Sequence, residues 1–141
     1  MAKTPVELRI MEFKHQKREV ATFLMTFNQP TDMEGQVVGL PRGGKITMRM
    51  KALNDGSSDL LHWMTEKKLA LNGSVIFEDT TSGKVMKTVT FQDAYCVNYI
   101  ESWEDNVKDG VLAHWEEITI SCRKITIGGD VHFSNTWELV Q

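Results

Sequence analysis

The chain is punctuated by runs in which apolar and polar residues alternate. Val6, Leu8 and Ile10 face one way and Glu7 and Arg9 the other, the period of a half-buried strand over Val6–Ile10. A second strand is predicted over Val20–Phe27, with Ala21, Phe23, Met25 and Phe27 on one face and Val20, Thr22, Leu24 and Thr26 on the other, both partly covered. Lys45–Ala52 alternates strictly, Ile46, Met48, Met50 and Ala52 inward against Lys45, Thr47, Arg49 and Lys51, which fits a sheet with one wet face. Asp55-Gly56 then marks a turn, and Ser57 or Ser58 can cap a helix over Asp59–Lys68, whose Leu60, Leu61, Met64 and Lys68 follow helical spacing. Ser74–Glu78 and Lys84–Phe91 read as a hairpin around Thr81-Ser82-Gly83. A bend near Gln92-Asp93 separates it from Ala94–Trp103, where Tyr95, Val97, Tyr99 and Trp103 share a face. Val111–Ile125 is a long strand with Leu112, Ile118, Ile120 and Cys122 on one side, and Asp130–Leu139, containing Trp137, is the last run. About seven or eight short strands with a single helix predict a mostly β fold, an antiparallel barrel or sandwich.

Between the second and third strands lies Asn28–Gly44, with two prolines and four glycines. Neither a regular helix nor a central strand suits it. Ordered loops of this length usually serve function or assembly, which makes this the most informative irregular segment.

Composition narrows the classes. A chain of 141 residues is expected to form one domain, residues 1–141, with no linker dividing it. Sixteen basic and 19 acidic residues give a net charge of -3, which lacks the positive field that nucleic-acid binding needs. No apolar run approaches the roughly 20 residues of a membrane span, and the opening Met-Ala-Lys-Thr-Pro is too polar for a signal-peptide core, so synthesis in the cytosol without membrane insertion is expected. Cys96 and Cys122 sit in apolar strands and read as reduced, buried thiols, with a cross-strand disulfide as the alternative.

Catalytic chemistry is hard to place. His15, His62, His114 and His132 lie on different elements without the spacing of a metal pair, and the two cysteines make no CxxC knuckle, so neither metal nor cofactor is expected. Glu101, Glu104 and Asp105, and again Glu116 and Glu117, could suggest paired carboxylates. Adjacent strand residues point to opposite faces, and a solvated surface is the expected setting for all five. Gly39–Gly44 lacks the ending of a phosphate-binding loop, and Arg42 reads as a loop arginine that pairs with a carboxylate of the same or a neighbouring subunit. A small-ligand or carbohydrate-binding monomeric barrel, its pocket lined by Tyr99, Trp103 and Trp115, is the alternative class.

Several segments in order carry a family likeness: NQPTDMEGQVVGLPRGGKI, SSDLLHWM, the hairpin beginning GSVIFED, and FQDAYCVNYIESW. Asn28-Gln29, Arg42-Gly43-Gly44-Lys45, Leu61, Trp63-Met64 and Asp93-Ala94-Tyr95-Cys96 stand at the matching spacings. The chain resembles, over nearly its whole length, the tube protein of type VI secretion systems, the haemolysin-coregulated protein family, in the branch found in Bacteroidota. The resemblance implies a small antiparallel β-barrel with one flanking helix and a long extended loop, closed into a hexameric ring. Rings of this family stack into a hollow tube that a contractile sheath drives out with its spike, from a baseplate, into a neighbouring cell. It further implies export without a signal peptide and, in some members, effector proteins carried and shielded in the lumen. On this resemblance ring stacking falls to the long loop, with Asn28, Gln29, Pro30, Thr31, Asp32, Leu40, Pro41, Arg42, Gly43 and Gly44 as its candidate residues. Asp32 and Arg42 are its charged candidates, and the two-faced strands Val20–Phe27 and Ala94–Trp103 are candidates for side-by-side contact.

Overall fold

The structure, a computed structural model, describes residues 6–53, 55–106 and 111–135. Eight strands and one helix follow in the order β1 Val6–Arg9, β2 Lys17–Glu19, β3 Thr22–Asn28, β4 Arg42–Lys51, α1 Asp59–Thr65, β5 Leu71–Glu78, β6 Val85–Asn106, β7 Val111–Ile127 and β8 Val131–Ser134. All pairings are antiparallel. The strands form one sheet in the order β2-β1-β5-β6-β7-β4-β3, and β8 lies on β7 beyond the stretch that β4 occupies.

The expected barrel is corrected to a sheet whose ladder does not close. Its two ends curl until β2 meets β4, but β2 is only three residues long and offers a side chain where a closed barrel would offer backbone. Arg18 spans the seam, its guanidinium donating to the Lys51 carbonyl at 2.7 Å.

Two predicted strands are one. Lys84–Phe91 and Ala94–Trp103 lie within the 22-residue β6, which stays in register with β7 through the bend, Gln92 opposite Lys124 and Ala94 opposite Cys122. Asp93 makes the bend with a left-handed backbone (φ 50°), so Phe91 and Ala94, three apart, both point inward. A bulge between Cys96 and Asn98 changes the parity again. Cys96 and Tyr99 therefore turn toward the core while Val97 is exposed, and the predicted common face of Tyr95, Val97 and Tyr99 does not exist.

The core is the inner face of this curled sheet: Leu8, Ile46, Met48, Met50, Val75, Val89, Phe91, Ile118, Ile120 and Ile125 are essentially inaccessible. The alternation read over Lys45–Ala52 is observed in full, so Met48 and Met50 are core fillers. The helix is shorter than predicted, and Lys68 (φ 56°) turns the chain away beyond it. Ser58 is its N-cap residue but makes no side-chain cap. Its buried residues are Leu60 and Trp63, while Leu61 and Met64, which share the helical spacing of Leu60, are exposed. Trp63 fixes the helix to the sheet: its indole N–H donates to the carbonyls of Leu69 (3.2 Å) and Ala94 (3.1 Å), and its ring stacks on Phe91 and meets Phe13 edge-on. The last predicted run survives as β8, while Trp137 lies outside the described residues.

Candidate assembly surface

The long loop is partly strand. β3 continues through Asn28 and β4 begins at Arg42, with Phe27 opposite Gly43 and Asn28 opposite Arg42 after a bulge at Thr26/Phe27. Asn28, Arg42, Gly43 and Gly44 therefore form the base of the loop, and Gln29, Pro30, Thr31, Asp32, Leu40 and Pro41 belong to the finger that projects from it. The base is braced. Asn135 donates its side-chain amide to the carbonyls of Gly43 (3.2 Å) and Cys122 (2.9 Å), and Phe27 packs edge-on against Phe133 with ring centroids 5.0 Å apart. Both glycines are required by packing: a Cβ on Gly43 would stand 2.4 Å from the Phe27 ring, and Gly44 combines φ 82° with a carbonyl 2.8 Å from where its Cβ would be.

The finger itself is a miniature hairpin. Val38 N–H donates to the Pro30 carbonyl and Asp32 N–H to the Gln36 carbonyl, both at 2.9 Å, with Thr31 bridged to Val37 between them. Asp32 turns the tip, its carboxylate accepting the amides of Glu34 and Gln36 at 2.9 Å each. Arg42 lies in neither of those bonds; it lines two clefts of about 450 Å³ at the finger base, one with Phe27, Asn28 and Lys45, the other with Leu40, His132 and Phe133.

Of the side chains that stand out on the finger, Leu40 was among the candidates and Met33, Val37 and Val38 were not. Met33 is fully exposed at the tip, Leu40 is 75% exposed, and Val37 and Val38 are more than half exposed. This proline- and glycine-rich segment keeps four large apolar residues in water without a core to face. Apolar residues between two turn-forming prolines were the signal available in the sequence.

Apolar side chains are also exposed at separate places on two strands that are not neighbours in the sheet. Leu24 on β3 and Val97, Ile100 and Trp103 on β6 remain open, while α1 covers the inner face of β6 around Phe91 and Ala94. Both predicted two-faced strands thus keep apolar side chains in water.

The acidic residues divide. Glu117 faces away from the core, but Glu116 is corrected from a solvated residue to a buried one, 8% exposed. It accepts Arg18 at 3.2 Å and the Tyr99 hydroxyl at 2.7 Å, a polar group buried with its partners. Burial first, then the bond to Glu116, raises the Tyr99 phenol above its ordinary range. The aromatics of the ligand-binding alternative do not converge: Tyr99 is engaged with Glu116, Trp103 is 59% exposed, and Trp115 lies on the opposite face beneath the Arg49 guanidinium, 4.6 Å from its ring centre. Cys96 and Cys122 are free and buried, as expected; burial pushes their thiols up to about 11 and about 12. Three of the four histidines are tied to separate partners, His15 to Asp55, His114 to Glu101 and His132 to Thr126. No cluster among the described residues could hold a metal ion, and no helix among them is long and apolar enough to cross a membrane.

A curled antiparallel sheet, a braced apolar finger and open apolar strand faces define a self-associating structural subunit. The profile described as "Hemolysin coregulated protein Hcp (TssD)" matches residues 3–138. The structure of Hcp1 from Flavobacterium johnsoniae is similar with a TM-score of 0.79 and 30% identity, over 92% of this chain and 98% of that one. Hcp1 from E. coli EAEC 042 (TM-score 0.71, 15% identity, 96% and 100% covered) shares the fold. So does a chain of the PVC extracellular contractile injection system sheath–tube complex (TM-score 0.59, 12% identity, 88% of each). No curated protein sequence matches the chain significantly. The chain belongs to the haemolysin-coregulated protein family and is a structural tube subunit of the type VI secretion system, not an enzyme.

Proposed function

We propose that this chain, as a single tube-subunit domain over residues 1–141, closes into six-membered rings that stack through the finger of residues 28–44. The observation that carries this is the finger: four exposed apolar side chains on a hairpin whose base is braced by Asn135 and Phe133. Such a surface is prepared for a partner, and a heterologous contact between identical chains closes into a ring or runs on as a stack. The exposed residues of β3 and β6 supply the side-by-side contact, which needs on the order of 1,000 Å² or more for each pair. Ten candidate residues at the finger and its base, with Arg42 beside the two clefts, form the ring-to-ring surface. In this reading the sheath surrounds the tube, the spike and baseplate lie at its end, effectors travel in the lumen, and assembly in the cytoplasm precedes ejection into a target cell.

Light scattering of the purified protein, followed by negative-stain imaging of the same peak, tests this. The expected result is a mass about six times 16.1 kDa with a central hole. A monomer at high concentration would overturn the ring.

A further inference from the structure

We propose that one of the clefts at the finger base is a binding site for a small oxyanion of the phosphate class, held by Arg42 and Lys45. The inference stands apart from the ring and stacking readings, since it concerns a small ligand and not a second copy of the chain.

The chain has five arginines. Arg9 pairs with Glu7 and Glu78, Arg18 with Glu116 and Arg123 with Asp93, and Arg49 lies over the Trp115 ring. Arg42 has no such partner among the described residues, nor has Lys45, and both line the same cleft of about 450 Å³. Neither this cleft nor the other that Arg42 lines has a carboxylate among its described lining residues. Two cations around one recess without an acid set up a positive potential there, which an anion relieves.

The backbone brings the two cations together. On a regular strand, residues three apart point to opposite faces. β4 departs from that at its bulge: Phe27 pairs with Gly43 and Thr26 with Lys45, so Gly44 has no partner on β3. The left-handed backbone of Gly44 (φ 82°) takes up the extra residue and puts Arg42 and Lys45 on one cleft. Further donors stand around them. Thr26 and Ser121 flank Lys45 in one cross-strand row, Asn28 stands opposite Arg42, and all three line the cleft. Asn135 is already committed to the carbonyls of Gly43 and Cys122 and holds the wall in shape. A guanidinium fork, an ammonium and these hydroxyl and amide donors outnumber what the two oxygens of a carboxylate would use, and suit a tetrahedral anion.

Equilibrium dialysis of the full chain against radiolabelled inorganic phosphate, with ionic strength held constant by sodium chloride, tests the site. Binding should saturate at one phosphate per chain. Arg42→Gln and Lys45→Gln, both at exposed positions, should each weaken it about tenfold or more. Lys84→Gln, at an exposed lysine of the turn between β5 and β6, should leave it unchanged. Competition by glycerol 3-phosphate separates two sources of the same chemistry. Displacement at lower concentration than unlabelled phosphate assigns a phosphomonoester, and displacement at equal or higher concentration assigns the free ion. Binding that never saturates, that survives Arg42→Gln and Lys45→Gln, or that falls equally with Lys84→Gln would overturn the site. Malonate displacing as well as phosphate would overturn the phosphate class. None of these results depends on whether rings form or stack.

Discussion

Arg18→Met breaks the contact that spans the open seam of the sheet. Arg18 and Glu116 are 6% and 8% exposed, and the guanidinium bonds both the Glu116 carboxylate and the Lys51 carbonyl. Methionine fills similar volume but leaves a buried carboxylate with the Tyr99 hydroxyl as its remaining partner in this cluster. Removing one member of a buried ion pair costs about 3–5 kcal/mol. For a chain of this size that lowers the melting temperature by about 10 °C or more. Replacing both charges, Arg18→Met with Glu116→Leu, removes the stranded carboxylate; the Tyr99 hydroxyl then lacks its acceptor, a loss of about 1–3 kcal/mol, while the Lys51 carbonyl lacks the Arg18 donor in both variants. The double variant should therefore be more stable than Arg18→Met alone. Urea unfolding followed by fluorescence of the four tryptophans measures this, at one fixed protein concentration because self-association raises apparent stability. A loss below about 1 kcal/mol for Arg18→Met, or a double variant whose loss equals the sum of the two single variants, would refute the reasoning.

Trp63→Ala should cost about 3–5 kcal/mol in the same experiment, since it vacates the space between Phe13 and Phe91 and leaves the carbonyls of Leu69 and Ala94 without the indole donor; a loss under 2 kcal/mol would mean that the helix is not anchored there. Cys96 and Cys122 should resist a thiol reagent at pH 8 in the folded protein and react fully in denaturant, as counted by released chromophore. Because both thiols and the Tyr99 phenol are raised by burial, their contribution to stability is complete below their unfolded values, near 9 for the thiols. It is lost as pH rises toward about 11 and 12, so unfolding midpoints should fall above pH 9.

The alternation of Ile46, Met48, Met50 and Ala52 with polar neighbours specified an inward face without any reference to the rest of the chain, and the structure realises it residue by residue. Period-two patterning is local, because a strand's two faces are set by its own backbone. The same locality made the single helix, the hairpin of β5 and β6 and the presence of an irregular segment legible, and the ordered segments around Asn28, Trp63 and Ala94 were enough to indicate the family. Other features depend on residues far apart in the chain. Glu116 looked like a surface carboxylate until Arg18, 98 positions away, was brought against it. The continuous β6 was hidden because a left-handed Asp93 can either end a strand or bend one, and only pairing with β7 decides between these. The finger's shape comes from its Asp32 turn, which is local, but its brace comes from Asn135 and Phe133, and its exposed tip is defined by what the rest of the sheet fails to cover. Sequence alone thus determined which residues could face inward. Tertiary structure decided which of them meet, because burial, ion pairing and seam closure are properties of distant segments held side by side.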